Sequence, residues 1–151
     1  MEYTERKAIR LQEYDYSENG AYFITICTKD RAQILSHIVG DDAHIVPTPV
    51  GRLVDKYIQS IPGIDKYVIM PNHIHMIIHI DNGPMWASAP TQSIPSRIRS
   101  FKTLVTKELG VSIFQRSYYD HVIRGEQDYR DVWQYIDGNP ARWREDDLYT
   151  P

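Results

Sequence analysis

The chain has 151 residues, 42% apolar and 25% charged, the proportions of an ordinary globular domain long enough to bury a core without staples. No apolar run approaches the roughly 20 residues that cross a bilayer, and the lone Cys27 excludes an internal disulfide. A net charge of −3 argues against gripping duplex DNA through bulk charge.

The opening MEYTERKAIR lacks the hydrophobic core of a secretory signal. With one thiol and no signal, the expected location is a reducing cytoplasm. Residues 1–19 are polar and of mixed charge, and read as an N-terminal arm ahead of one domain at 20–151. Gly20 opens AYFITICT, a buried-strand run that makes Cys27 a plain strand residue. Residues 31–47 read as a hairpin turning at Gly40-Asp41. Thr48 and Pro49 start a helix whose apolar positions run from Val50 to Ile61. Two strand-like runs follow, DKYVIM and HIHMIIHI, separated only by Pro71-Asn72. Residues 82–92 read as a proline-containing loop. A second helix begins after Ser93, with Ile98, Phe101, Val105 and Leu109 on one face and Gly110 behind it. SYYDHVI is the last strand candidate, and Tyr129, Val132, Trp133 and Ile136 stripe a third helix that ends at Gly138-Asn139-Pro140. A polar tail completes the chain. This order predicts an α+β fold: a largely antiparallel sheet with helices packed mainly on one face.

Charge is unevenly spread. Residues 97–116 hold Arg97, Arg99, Lys102, Lys107 and Arg116 against Glu108 alone, whereas residues 120–151 hold eight acids against four arginines. A polyanion should meet the middle of the chain.

The sharpest local pattern is His73-Ile74-His75 within an apolar run. On a strand, both imidazoles share one face while Ile74 points to the other. Two such imidazoles can bind a divalent cation, or be satisfied polar residues on a half-exposed strand; burial among so many aliphatics would cost too much without partners. His79 shares that face but lies about 13 Å from His75 at strand rise, so it serves as an outer support or a DNA contact at best. On the last helix Tyr135 falls off the core stripe, with Asn139 four residues on along the same side. A nucleophile beside a metal ligand and a boundary tyrosine beside a helix-capping asparagine both fit that spacing. Pro140 disfavours helical backbone at Asn139.

Taken together, MPNHIHMIIHI, SRIRSFKTLVTKEL and SYYDHVIRGEQDYRDVWQYIDGNPARW resemble the REP-associated tyrosine transposases. These are single-tyrosine members of the HUH group of single-strand nucleases, named for the histidine-hydrophobic-histidine motif. The resemblance covers about residues 20–149. It implies a ferredoxin-like fold akin to an RNA-recognition module, with His73 and His75 as metal ligands and Tyr135 as nucleophile. Asn139 stands where relatives carry a glutamine ligand, one methylene shorter. It also implies single-stranded or hairpin DNA as partner, a bacterial, nucleoid-associated setting, and Mg²⁺ or Mn²⁺ as cofactor without ATP. Relatives are often dimers that exchange the tyrosine helix; formation of the site within one chain and between chains both stay open, with a lean to a homodimer.

Tyrosine attack on a phosphodiester would leave a 5′-phosphotyrosine and a free 3′-hydroxyl. Arg97, Arg99, Lys102 and Arg116 are the expected phosphate contacts, and Tyr118, Tyr119 and Trp143 are candidates for base stacking. Two competing readings are a non-catalytic hairpin DNA- or RNA-binding module on the same fold and a nuclease acting through metal-activated water.

Overall fold

The computed structural model describes residues 20–81 and 92–151. The expected arm at 1–19 and all but the last residue of the loop at 82–92 lie outside the described residues. Six strands and three helices follow in chain order: β1 (Gly20–Cys27), β2 (Ser36–Val39), β3 (His44–Pro47), α1 (Pro49–Ile58), β4 (Ile64–Ile69), β5 (His73–Ile80), α2 (Ile94–Leu109), β6 (Tyr119–Ile123) and α3 (Glu126–Asp137). Among the described residues, two 3-10 turns, Lys29–Arg31 and Pro140–Glu145, accompany them.

The main sheet has the order β4-β5-β1-β6, with antiparallel pairing throughout. With α1 and α2 as the two connections, this is the βαββαβ topology of a ferredoxin-like fold. β2 and β3 pair as a separate two-stranded ribbon inserted before α1.

Residue alternation assigns the two sheet faces. Tyr22, Ile24, Ile26, Ile74, Met76 and Ile78 are buried in one cluster with Val54 and Ile58 of α1 and Ile98 and Phe101 of α2. Phe23 and Ile77 turn to the other face, where they meet Val132 and Ile136 of α3. The helices therefore divide two to one, and α3 covers the face that carries His73 and His75. The helix starts follow local chemistry. The Thr48 hydroxyl accepts from the Gly51 amide at 3.0 Å, the Ser93 hydroxyl accepts from the Ser96 amide at 3.3 Å, and each helix has proline in its first turn.

Gly63 has φ +81, and a Cβ there would lie 2.0 Å from the His79 carbonyl oxygen. Only glycine at position 63 lets the chain entering β4 lie this close to the end of β5. Trp133 departs from the expected stripe. It is 37% exposed, and Lys66 Nζ stands 4.1 Å from its ring centroid; one position past Val132, it has rotated off the buried face of α3. Among the described residues, no helix is long and apolar enough to cross a membrane.

Candidate active site

β5 carries His73 and His75 to the α3 side of the sheet, both fully buried, with ring centroids 4.6 Å apart. Each is held through Nδ1. Thr25, directly across on β1, places its hydroxyl 2.8 Å from His75 Nδ1. Asn72 Oδ1 lies 2.8 Å from His73 Nδ1. The amide end of Asn72 donates to the carbonyls of Leu148 at 2.7 Å and Arg31 at 3.4 Å, which fixes its oxygen toward the imidazole. An amide oxygen only accepts, so His73 carries its proton on Nδ1 and keeps the Nε2 lone pair for a ligand. Pro71-Asn72 is therefore more than a turn: Asn72 sets the tautomer. Asn72→Ala should weaken Mn²⁺ binding about 10- to 100-fold while leaving a cooperative melt, as titration calorimetry on the two proteins would show.

Beyond α3 the chain does not trail away as a polar tail. The turn Pro140–Glu145 folds back, Leu148 is buried, and the Trp143 ring lies 6.0 Å from His73, tilted, and 5.0 Å from Tyr149, edge-on. This return brings Asp146 Oδ2 to 3.7 Å from His73 Nε2. Ligand atoms of His73, His75 and Asp146 all lie within 4.8 Å of one another. Asn139 is also buried, near enough to His73 to favour a positive charge on it. Its backbone is helical, with φ −61 and ψ −43, against the expectation from Pro140. Four buried atoms, His73 Nε2, His75 Nε2, Asn139 Oδ1 and Asp146 Oδ2, have no hydrogen-bond partner. Buried polar atoms are normally satisfied, and two nitrogens with two oxygens form a donor set suited to a divalent cation. The residues present therefore fit a metal. Asp146 was not legible as a ligand in the sequence.

Burial is the largest influence on both histidines. It pushes His73 down to about 4, against the opposing pull of Asp146, and holds His75 well below the usual range, with the neighbouring His73 lowering it further. Both imidazoles are neutral at pH 7 and available as ligands. The unfolded chain takes up protons on these groups near pH 6.5, the folded chain only at much lower pH. Stability of the metal-free protein should therefore be fully present above about pH 6.5 and fall as the pH drops toward 4. Urea midpoints in EDTA would test this, with equal midpoints at neutral pH and at a pH near 5 as the contrary result.

Tyr135 projects from α3 against this cluster within one chain. Its ring lies 5.4 Å from His75 and 5.9 Å, edge-on, from Phe23. His79 shares the face but bonds Asp65 at 2.8 Å, which also accepts from Tyr129, and so belongs to a separate network.

The expected phosphate contacts divide. Arg97 is buried and donates to the carbonyls of Gln92, Pro62 and His79. It pins the start of α2 to the β4–β5 hairpin, so its guanidinium is structural and does not face the surface as the sequence suggested. Arg99, Lys102, Arg116 and Tyr118 line one cavity of about 420 Å³ with Lys107. Lys102 also donates to the carbonyls of Gln115 and Arg116 at 2.8 and 3.2 Å. Tyr118 packs partly buried against the α1–α2 core.

No family model matches the chain. An uncharacterized protein of Haemophilus influenzae is 36% identical over 170 residues, covering 96% of this chain and 93% of that protein. A putative REP-associated tyrosine transposase of the same organism is 26% identical over 136 residues, covering 85% of this chain and 74% of its own length. Among solved structures, a REP-associated tyrosine transposase bound to a REP hairpin superposes with a TM-score of 0.62 at 24% identity, over 89% of this chain and 74% of that one. That likeness supports the fold.

Proposed function

We propose that the chain, similar to a putative REP-associated tyrosine transposase at 26% identity over 85% of its length, acts as a transposase of that family and cuts and rejoins single-stranded DNA at hairpin sites through a covalent 5′-phosphotyrosine. The observation that carries this reading is the convergence of His73, His75 and Asp146, whose ligand atoms lie within 4.8 Å of one another and lack hydrogen bonds, with the Tyr135 ring beside His75. His73, His75, Asn139 and Asp146 would hold the cation. When bound, a divalent cation would neutralise charge on the phosphate oxygens under attack. Two imidazoles with oxygen ligands suit Mn²⁺ better than Mg²⁺, which prefers an all-oxygen shell.

The remaining steps fall to the chain itself. Tyr135 Oη forms a bond to phosphorus as the bond to the 3′ oxygen breaks. The phenol gives up one proton and the departing 3′ oxygen gains one, so the step is balanced without an added acid or base equivalent. One phosphodiester is exchanged for another, so no ATP is required. Attack by a 3′-hydroxyl on the phosphotyrosine reverses the step and joins strands. Tyr135 and the imidazoles meet within one chain.

The test is incubation of the protein with end-labelled hairpin DNA and Mn²⁺, followed by denaturing electrophoresis. The expected product is a protein-linked fragment carrying the DNA on the 3′ side of the cut. Cleavage without any linked fragment would transfer the reaction to activated water, and binding without cleavage would make the protein a recognition module.

A further inference from the structure

A second basic hollow adjoins the α2 cavity at Arg116. It is an open surface hollow of about 590 Å³ lined by Lys29, Asp30, Arg31, Gln115 and Arg116. Three cations face one acid there, and the three cationic residues are exposed. Lys29, Arg31 and Arg116 make no ion pair among the described residues. Arg116 lines the α2 cavity as well, so the two hollows form one cationic track.

The track is built into the backbone. The Lys29 amide donates to the Ile113 carbonyl at 2.9 Å and the Gln115 amide to the Cys27 carbonyl at 2.8 Å. Gln115 Nε2 donates to the Thr28 carbonyl at 3.2 Å, and Lys102 holds the carbonyls of Gln115 and Arg116 from α2. At the other end, the Arg31 carbonyl accepts from Asn72, the residue that orients His73. Within the turn, Asp30 and Arg31 have φ of 57 and 53. This is left-handed backbone that non-glycine residues adopt only at a cost. The turn thus holds a strained conformation that keeps Lys29 and Arg31 beside Gln115 and Arg116.

We propose that Lys29, Arg31 and Arg116 seat backbone phosphates of the single DNA strand as it runs from the α2 cavity to Tyr135. The inference rests on the reading of the protein as a single-strand nuclease. Each phosphate so neutralised releases counterions, and the logarithm of affinity then falls with the logarithm of salt concentration by about 0.7 per contact for a single strand.

Binding of a fluorescent hairpin with a single-stranded flank, followed by anisotropy across a KCl series, tests this in the Tyr135→Phe protein, where cleavage cannot intervene. The combined variant Lys29→Ala, Arg31→Gly, Arg116→Ala should lower the salt slope by about 2, and Arg31→Gly alone by about 0.7. Glycine accepts the left-handed backbone at position 31, so the single variant decides the matter should the combined one fail to melt cooperatively. Arg130→Ala, which removes a charge on the outer side of α3, should leave the slope unchanged. Undiminished slopes in the turn variants, with the hairpin still bound by the parent protein, would overturn this proposal and leave the nuclease reading standing. No hairpin binding by the parent protein would overturn both.

Discussion

Tyr135→Phe should abolish the covalent protein–DNA product and reduce strand cleavage on the order of 10⁴-fold or more, the scale of nucleophile knock-outs in other enzymes, while hairpin affinity stays within about twofold. The substitution removes one oxygen and keeps the ring that packs against Phe23 and His75, so stability should change little. The other tyrosine of α3 is a poor substitute. Tyr129 donates its hydroxyl to Asp65, and that bond, with burial adding to it, pushes its pKa up to about 12, which makes the phenolate harder to form. Labelled DNA resolved on a denaturing gel separates the outcomes. A linked fragment that persists at full yield in Tyr135→Phe would move the nucleophile elsewhere. Cleavage retained without linkage would point to water.

Much of this arrangement was legible in one dimension because it rests on periodicity. β1, β4 and β5 are apolar runs bounded by turn residues, and the two-residue strand period puts His73 and His75 on one face whatever the partner strands. The expectation that Tyr135 and Asn139 share one side of the helix follows from helix geometry alone. Arg97 shows how the basic segment misled. It stands three residues after Ile94 and four before Phe101, on the buried stripe of α2, so spacing marks it as inward-facing while its charge suggests the surface. Its guanidinium is tolerated there because three backbone carbonyls receive it. Asp146 left no such trace. It lies in a polar, acid-rich stretch without a repeat, and reaches His73 only because Pro140–Glu145 turns the chain back and Leu148 anchors it. Asn72 was legible as a turn residue and not as a support for His73, since that role depends on carbonyls from positions 31 and 148.

Mn²⁺ should raise the melting temperature of the wild-type protein by about 5–10 °C at a concentration near 100 times its dissociation constant, since binding there stabilises by about 2.7 kcal/mol and each kcal/mol moves a chain of this size by about 2–4 °C. His75→Ala should weaken Mn²⁺ binding by more than about 100-fold, beyond the losses typical of residues that only support a ligand, and should erase the shift. Asp146 gives the sharper contrast. Its Oδ2 is buried without a hydrogen bond, its other oxygen accepts from the Leu148 amide at 2.8 Å, and the imidazole it faces is neutral at pH 7 because burial dominates. A buried carboxylate opposite an uncharged ring costs stability until a cation arrives. Asp146→Asn keeps the Leu148 bond and removes the charge. It should therefore raise the melting temperature in EDTA and lower the Mn²⁺-dependent shift in the same protein. A carboxylate kept only to pair with a protonated His73 predicts the reverse in EDTA, a lower melting temperature, together with an unchanged response to Mn²⁺. Two melting curves for each protein distinguish a ligand from a structural ion pair at this position.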